Sequence, residues 1–133
     1  QKITLQCDIR DNCLSFMDAP SITTFYGNLL TNAFEAASSS AERMIELSVK
    51  KNEDQQVVIV SVVNSCDTPP VPDHEGLFRT KKRNPGIHGV GLKSIGRIVA
   101  RYHGVATMRF DPESKKFYHI VQFPMQGERK NRS

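Results

Sequence analysis

The sequence predicts an α+β two-layer sandwich: a mixed, mostly antiparallel sheet with helices packed on one face and one long loop. Three observations lead there. Two segments, residues 21–37 and 92–102, carry apolar side chains at helical spacing. Short segments alternating with period two precede, separate and follow them. Between residues 65 and 89 no period is sustained at all. The order strand, helix, two strands, long loop, helix, two strands then layers helices on a sheet. A chain of 133 residues, 38% hydrophobic and 24% charged, fits one domain with a real core.

Taken in order, residues 2–10 read as a strand with Ile3, Leu5, Cys7 and Ile9 on one side. Pro20-Ser21 marks a helix start with Ser21 as N-cap. Ile22, Phe25, Tyr26, Leu29, Leu30, Ala33, Ala36 and Ala37 follow as a wide apolar stripe, closed by the serines at 38–40. Ile45, Leu47 and Val49 alternate in the next strand. After a polar turn, "VVIVSVV" is apolar on both faces, which predicts a central buried strand. The loop at 65–89 holds four prolines and three glycines, and a loop of that length in a compact domain is usually functional. Leu92, Ile95, Ile98, Val99 and Tyr102 mark the second helix, with Gly104 as its C-cap. "VATMRF" and "FYHIVQF" close the domain as a hairpin, Phe117, His119, Val121 and Phe123 sharing a face.

Composition excludes several functions. No apolar run approaches the roughly 20 residues that span a bilayer, and no signal peptide is expected in these residues. The first ten residues alternate like a strand, so a start inside a domain, and with it a fragment of a longer protein, is expected. Cys7, Cys13 and Cys66 cannot all pair and have no metal-ligand spacing, which points to free thiols. The net charge of +4 gathers in "RTKKR" at 79–83 and in the tail at 126–133. A nucleic-acid-binding domain would need basic and aromatic residues on one face. The basic run sits instead in the glycine- and proline-rich loop, so no nucleic-acid partner is expected.

Three constellations carry chemistry. In "GNLLTNAFEAA", residues 27–37, Asn28, Asn32 and Glu35 fall at i, i+4 and i+7 and share one stripe bordering the apolar arc. Asparagine is a poor helix-interior residue, but its carboxamide oxygen suits a hard cation such as Mg²⁺. The second is "GIHGVGLKS", residues 86–94. It is no P-loop, because Leu92 separates Gly91 from Lys93, and no dinucleotide fingerprint, because Ser94 stands where a third glycine belongs. A glycine-rich turn entering a helix N-terminus still offers backbone N–H groups to phosphate. The third is "VVNSCD", where Asn64 and Asp67 mark the end of the buried strand and either pair with a base edge or cap a turn.

Together these pieces resemble the C-terminal ATP-binding domain of sensor histidine kinases, the Bergerat or GHKL fold shared with DNA gyrase, heat-shock chaperone ATPases and mismatch-repair ATPases. "NLLTNAFEAA" is similar to the family's N box, "LFRTKK" to a short F box, and "HGVGLKSI" to its second glycine box. The likeness covers nearly the whole chain, and the N box is closest in wording to peptide-sensing, quorum-type kinases of Gram-positive bacteria. The resemblance implies ATP and Mg²⁺ as ligands, with Asn32 the direct metal ligand, Asn28 supporting metal or phosphates, and Glu35 at the ribose or phosphate edge. It implies an ATP lid over 66–88, with Phe78 and Thr80 in the F box and Lys81 and Lys82 pairing with phosphate. His88, Gly89, Val90, Gly91 and Leu92 would meet the nucleotide where the lid joins the helix.

One box departs from the family. The usual D-x-G-x-G is replaced by Asn64-Ser65-Cys66-Asp67, so the adenine amino group would be read by Asn64, or by Asp67 three residues later. Hydrolytic relatives carry a general-base glutamate four residues before the metal asparagine, and here that place is Asn28. Without a carboxylate to activate water, ATP is expected to be held for transfer rather than hydrolysed. No catalytic residue is then expected in this chain, and the phosphoacceptor histidine would lie on a separate dimerisation domain. The resemblance further implies a homodimeric membrane kinase with this domain in the cytoplasm, and a response regulator downstream. The alternative is a freestanding anti-sigma-factor-like serine kinase of the same fold.

Overall fold

The computed structural model describes residues 2–68, 71–72, 78–79 and 85–125, with only the backbone of 71–72, 78–79 and 85–90. Strand β1 (Thr4–Ile9) leads to helix α1 (Ala19–Ser38), then β2 (Met44–Asn52) and β3 (Val57–Ser65). Two short strands, β4 (Val71–Pro72) and β5 (Phe78–Arg79), pair antiparallel within the long loop. Helix α2 (Pro85–Arg101) and the hairpin β6 (Val105–Asp111) and β7 (Lys116–Pro124) follow. Among the described residues the main sheet has the order β1-β2-β3-β7-β6, with β1 parallel to β2 and every other pair antiparallel. This is the expected α+β sandwich with a mixed sheet.

The core lies between this sheet and the helices. Phe25, Leu29, Ala33 and Ala37 form the buried i+4 row of α1, and Leu92, Ile95, Ile98 and Val99 line the buried face of α2. They cover Ile45, Leu47 and Val49 of β2, Val58, Val60 and Val62 of β3, and Val121 and Phe123 of β7. Phe16 and Phe25 both set their rings against Phe123.

Several local expectations are corrected. Residues 57, 59, 61 and 63 are half-buried, so β3 is fully buried on its helix face only. All of β1 is exposed, because α1 lies over β2 and β3 and leaves Leu5 and Ile9 at the edge uncovered. The α1 N-cap is Asp18, whose carboxylate accepts from Ser21 N–H at 2.8 Å, with Pro20 in the first turn. Ser21 itself is buried and accepts from Arg101 Nη1 at 3.1 Å. The Tyr102 hydroxyl meets Asp18 N–H at 3.2 Å, so the start of α1 is tied to the end of α2.

At the end of α2 the left-handed residue is His103 (φ 62), and Gly104 follows it. Gly104 N–H reaches Val99 O at 2.7 Å and His103 N–H reaches Ala100 O at 3.1 Å, the paired bonds of a Schellman close. Glycine is needed at 104 for proximity: a Cβ there would sit 2.8 Å from the Phe123 ring and 2.9 Å from Gln122 O.

Candidate nucleotide site

Helix α1 presents Asn28, Asn32 and Glu35, all half-buried, along the border of its buried row. Helix α2 comes against that border. A Cβ built on Gly91 would lie 3.3 Å from Asn28 Oδ1 and 3.9 Å from Asn32 Oδ1. Both carboxamide oxygens therefore converge on a backbone position near the start of α2. The absence of a side chain at 91 is what lets the helices approach this closely.

The local donor set fits a hard divalent cation with its phosphate ligand. Two neutral oxygens from one helix edge would leave most coordination positions to water and phosphate, as Mg²⁺ prefers. Asn32 Nδ2 is buried and has no hydrogen-bond partner among the described residues. Such an orphaned donor is costly unless something else accepts from it. No group of three or more His, Cys, Asp or Glu that could hold a metal occurs among the described residues, so the oxygens of α1 are the relevant candidates there.

The far end of the site is fixed by β3. Asn64 is buried on the helix face, in line with Val58, Val60 and Val62. Its Nδ2 donates to Ser65 O at 2.9 Å, which turns Oδ1 away as the acceptor. Ser65 Oγ lies 2.6 Å from Ser40 Oγ and accepts from Met44 N–H at 2.9 Å, so the end of β3 is locked to the end of α1 and the start of β2. Asp67, by contrast, is exposed and its Oδ2 accepts from Ala41 N–H at 3.0 Å. Its carboxylate serves the connection after α1, which leaves Asn64 as the residue facing the helices.

The second glycine segment is not a turn before a helix. Helix α2 begins at Pro85, a residue preorganised for a first helical position, so residues 85–88 at the end of the expected lid are helical. The backbones of His88, Gly89 and Val90 belong to α2; Leu92 is buried in the core. Phe78 lies in β5. Thr80, Lys81 and Lys82 lie outside the described residues, as does the basic tail at 126–133. The sequence carries no sign of the Ser40–Ser65 hydroxyl pair, of the Ser65 carbonyl that holds Asn64 Nδ2, or of the polar knot of Asp18, Ser21, Arg101 and Tyr102. Isolated serines next to caps carry no signal of a tertiary partner.

A helix edge of carboxamides facing a glycine of the next helix, above a sheet ending in a buried polar side chain, defines a nucleotide-binding class of α+β domain. The chain belongs to the GHKL domain family, which matches it over residues 17–124. The sensor histidine kinase DpiB of Escherichia coli (strain K12) is 35% identical over 98 residues, 69% of this chain and 17% of that protein. The chain thus spans about a sixth of that relative's length. Among solved structures, the catalytic domain of histidine kinase ThkA is similar at TM-score 0.66 and 23% identity, over 95% of this chain and 81% of that one. The mycobacterial sensor histidine kinase MprB is similar at TM-score 0.65 and 16% identity, over 92% and 81%. These two establish the shared fold.

Proposed function

We propose that this chain is the ATP-binding catalytic domain of a two-component sensor histidine kinase, binding Mg-ATP between α1 and α2. The observation that carries the reading is the convergence of Asn28 Oδ1 and Asn32 Oδ1 on Gly91. Mg²⁺, when bound, neutralises phosphate charge and orients the terminal phosphoryl group. Asn32 is assigned as its direct ligand, with the orphaned Nδ2 free to donate to a phosphate oxygen. Asn28 supports the metal or phosphates one turn earlier, and Glu35 faces the ribose or phosphate edge. Gly91 and the backbone of residues 88–90 approach the phosphates, and Asn64 Oδ1 accepts from the base. Phe78, Thr80, Lys81 and Lys82 are proposed for the lid.

A carboxamide at position 28 cannot take a proton from water, so the site retains ATP for transfer to a side chain. The acceptor is a histidine on a separate dimerisation domain of the same kinase, with a response regulator downstream. The full protein is proposed as a membrane-anchored homodimer with this domain in the cytoplasm. The wording "NLLTNAFEAA" supports a peptide-sensing, quorum-type member of the Gram-positive kind, an assignment resting on that motif alone.

Isothermal titration with a non-hydrolysable ATP analogue tests the reading. Affinity is expected to fall at least about tenfold on removing Mg²⁺, and Asn32→Ala is expected to lose that metal dependence. Absent binding, or metal-dependent binding undiminished in Asn32→Ala, would sink it.

A further inference from the structure

We infer that His119 is a second base-reading residue of the nucleotide site, donating from its ring N–H to N1 of adenine while Asn64 Oδ1 accepts from the 6-amino group. The inference rests on the proposed ATP site and adds a specificity determinant to it.

Register places the residue. On β7, His119 is opposite Val62 of β3, and Phe117 is opposite Asn64. Paired residues share a face, and His119 alternates with Val121 and Phe123, which lie in the core beneath the helices. His119 and Asn64 are therefore diagonal neighbours on the helix-facing side, about 7 Å apart by ordinary sheet geometry. Two contacts set the level along α1. Phe25 meets Phe123 edge to face, Phe123 is opposite Val58, and Ser40 bonds Ser65. From Val58 to Ser65 the strand advances about 23 Å, and from Phe25 to Ser38, the end of α1 two residues before Ser40, the helix advances about 20 Å, so the two run nearly in step. Val62, and with it His119, then falls about nine helical residues beyond Phe25, between Asn32 and Glu35. His119 stands between the metal-binding edge and Asn64, where a base and ribose have to lie.

The ring is 6% exposed. Burial lowers its pKa to about 4, so at neutral pH it is uncharged, with one donor and one acceptor nitrogen. Acceptor at Asn64 and donor at His119 match the amino group and N1 of adenine. Guanine presents the reverse, an acceptor O6 and a donor N1–H.

The test uses the 133-residue chain with Mg²⁺ and three probes: ATP, 1-deaza-ATP, which lacks N1, and GTP. Wild type is expected to bind 1-deaza-ATP about tenfold more weakly than ATP, and GTP more weakly still. His119→Phe should bind ATP and 1-deaza-ATP alike, at the wild-type affinity for 1-deaza-ATP, while keeping or raising the melting temperature. His119→Gln, which retains an N–H donor, should recover part of the difference. Equal wild-type affinity for ATP and 1-deaza-ATP overturns the inference without any variant. So does a His119→Phe protein that still separates the two. In both cases the proposed ATP site stands; a wild type that binds none of the three probes overturns that site and this inference together.

Discussion

Asn28, Asn32 and Glu35 share one edge of α1 because they recur at the helical period. Gly91 lies 59 positions away by simple subtraction from Asn32, and only the packing of α2 on α1 brings it near. His119 could be assigned to a strand face but not to a neighbour above it. Its burial has a measurable consequence. The folded-state pKa, about 4, lies below the ordinary value of 6.5, so between these limits the unfolded chain binds more protons. Stability from this group is full above the ordinary value and declines as pH falls toward the folded value. Urea unfolding is expected to show a loss on the order of 2 kcal/mol from this residue between about pH 7.5 and about pH 5. His119→Phe should lose correspondingly less over the same interval; an unchanged pH slope would contradict the neutral, buried ring.

Element boundaries depended on which of two eligible side chains reached a backbone group. Asp18 and Ser21 both suit an N-cap, and the structure gives the bond to Asp18 because Ser21 turns inward to Arg101. His103 and Gly104 both suit the end of α2, and glycine is kept at 104 by the nearness of Phe123 and of Gln122 O. The start of α2 fell earlier than its apolar period indicated, since Pro85 begins a helix whose first two turns hold Gly86, Gly89 and Gly91. Gly91 separates stability from function. Alanine in a helix interior is favoured over glycine by up to about 1 kcal/mol. The new methyl would meet Asn28 Oδ1 at 3.3 Å, which obliges the carboxamide to shift by a few tenths of an ångström. Gly91→Ala is therefore expected to melt at or above the wild-type temperature while binding the ATP analogue several-fold more weakly. Differential scanning fluorimetry and titration on one sample read both effects, and unchanged affinity would disprove the role given to this contact.

For the whole molecule, layer architecture was legible and strand direction was not. Alternation in residues 2–10 identified a strand, but nothing in it specified parallel pairing with β2 or a position beyond the cover of α1. The Ser40–Ser65 bond and the Asp18–Tyr102 contact hold the helices in fixed relation to each other and to β3. The proposed nucleotide site draws on residues as distant in sequence as Asn28, Asn64, Gly91 and His119. The central claim, that the carboxamides of α1 hold a divalent metal with its nucleotide, is tested most directly by substituting Mn²⁺ for Mg²⁺ and recording side-chain amide NMR signals with the ATP analogue bound. Paramagnetic broadening should remove the Asn32 and Asn28 signals first and spare the carboxamides of Asn52, at the end of β2, and Gln55, exposed in the β2–β3 turn. Broadening that leaves Asn32 sharp while erasing signals elsewhere would contradict it.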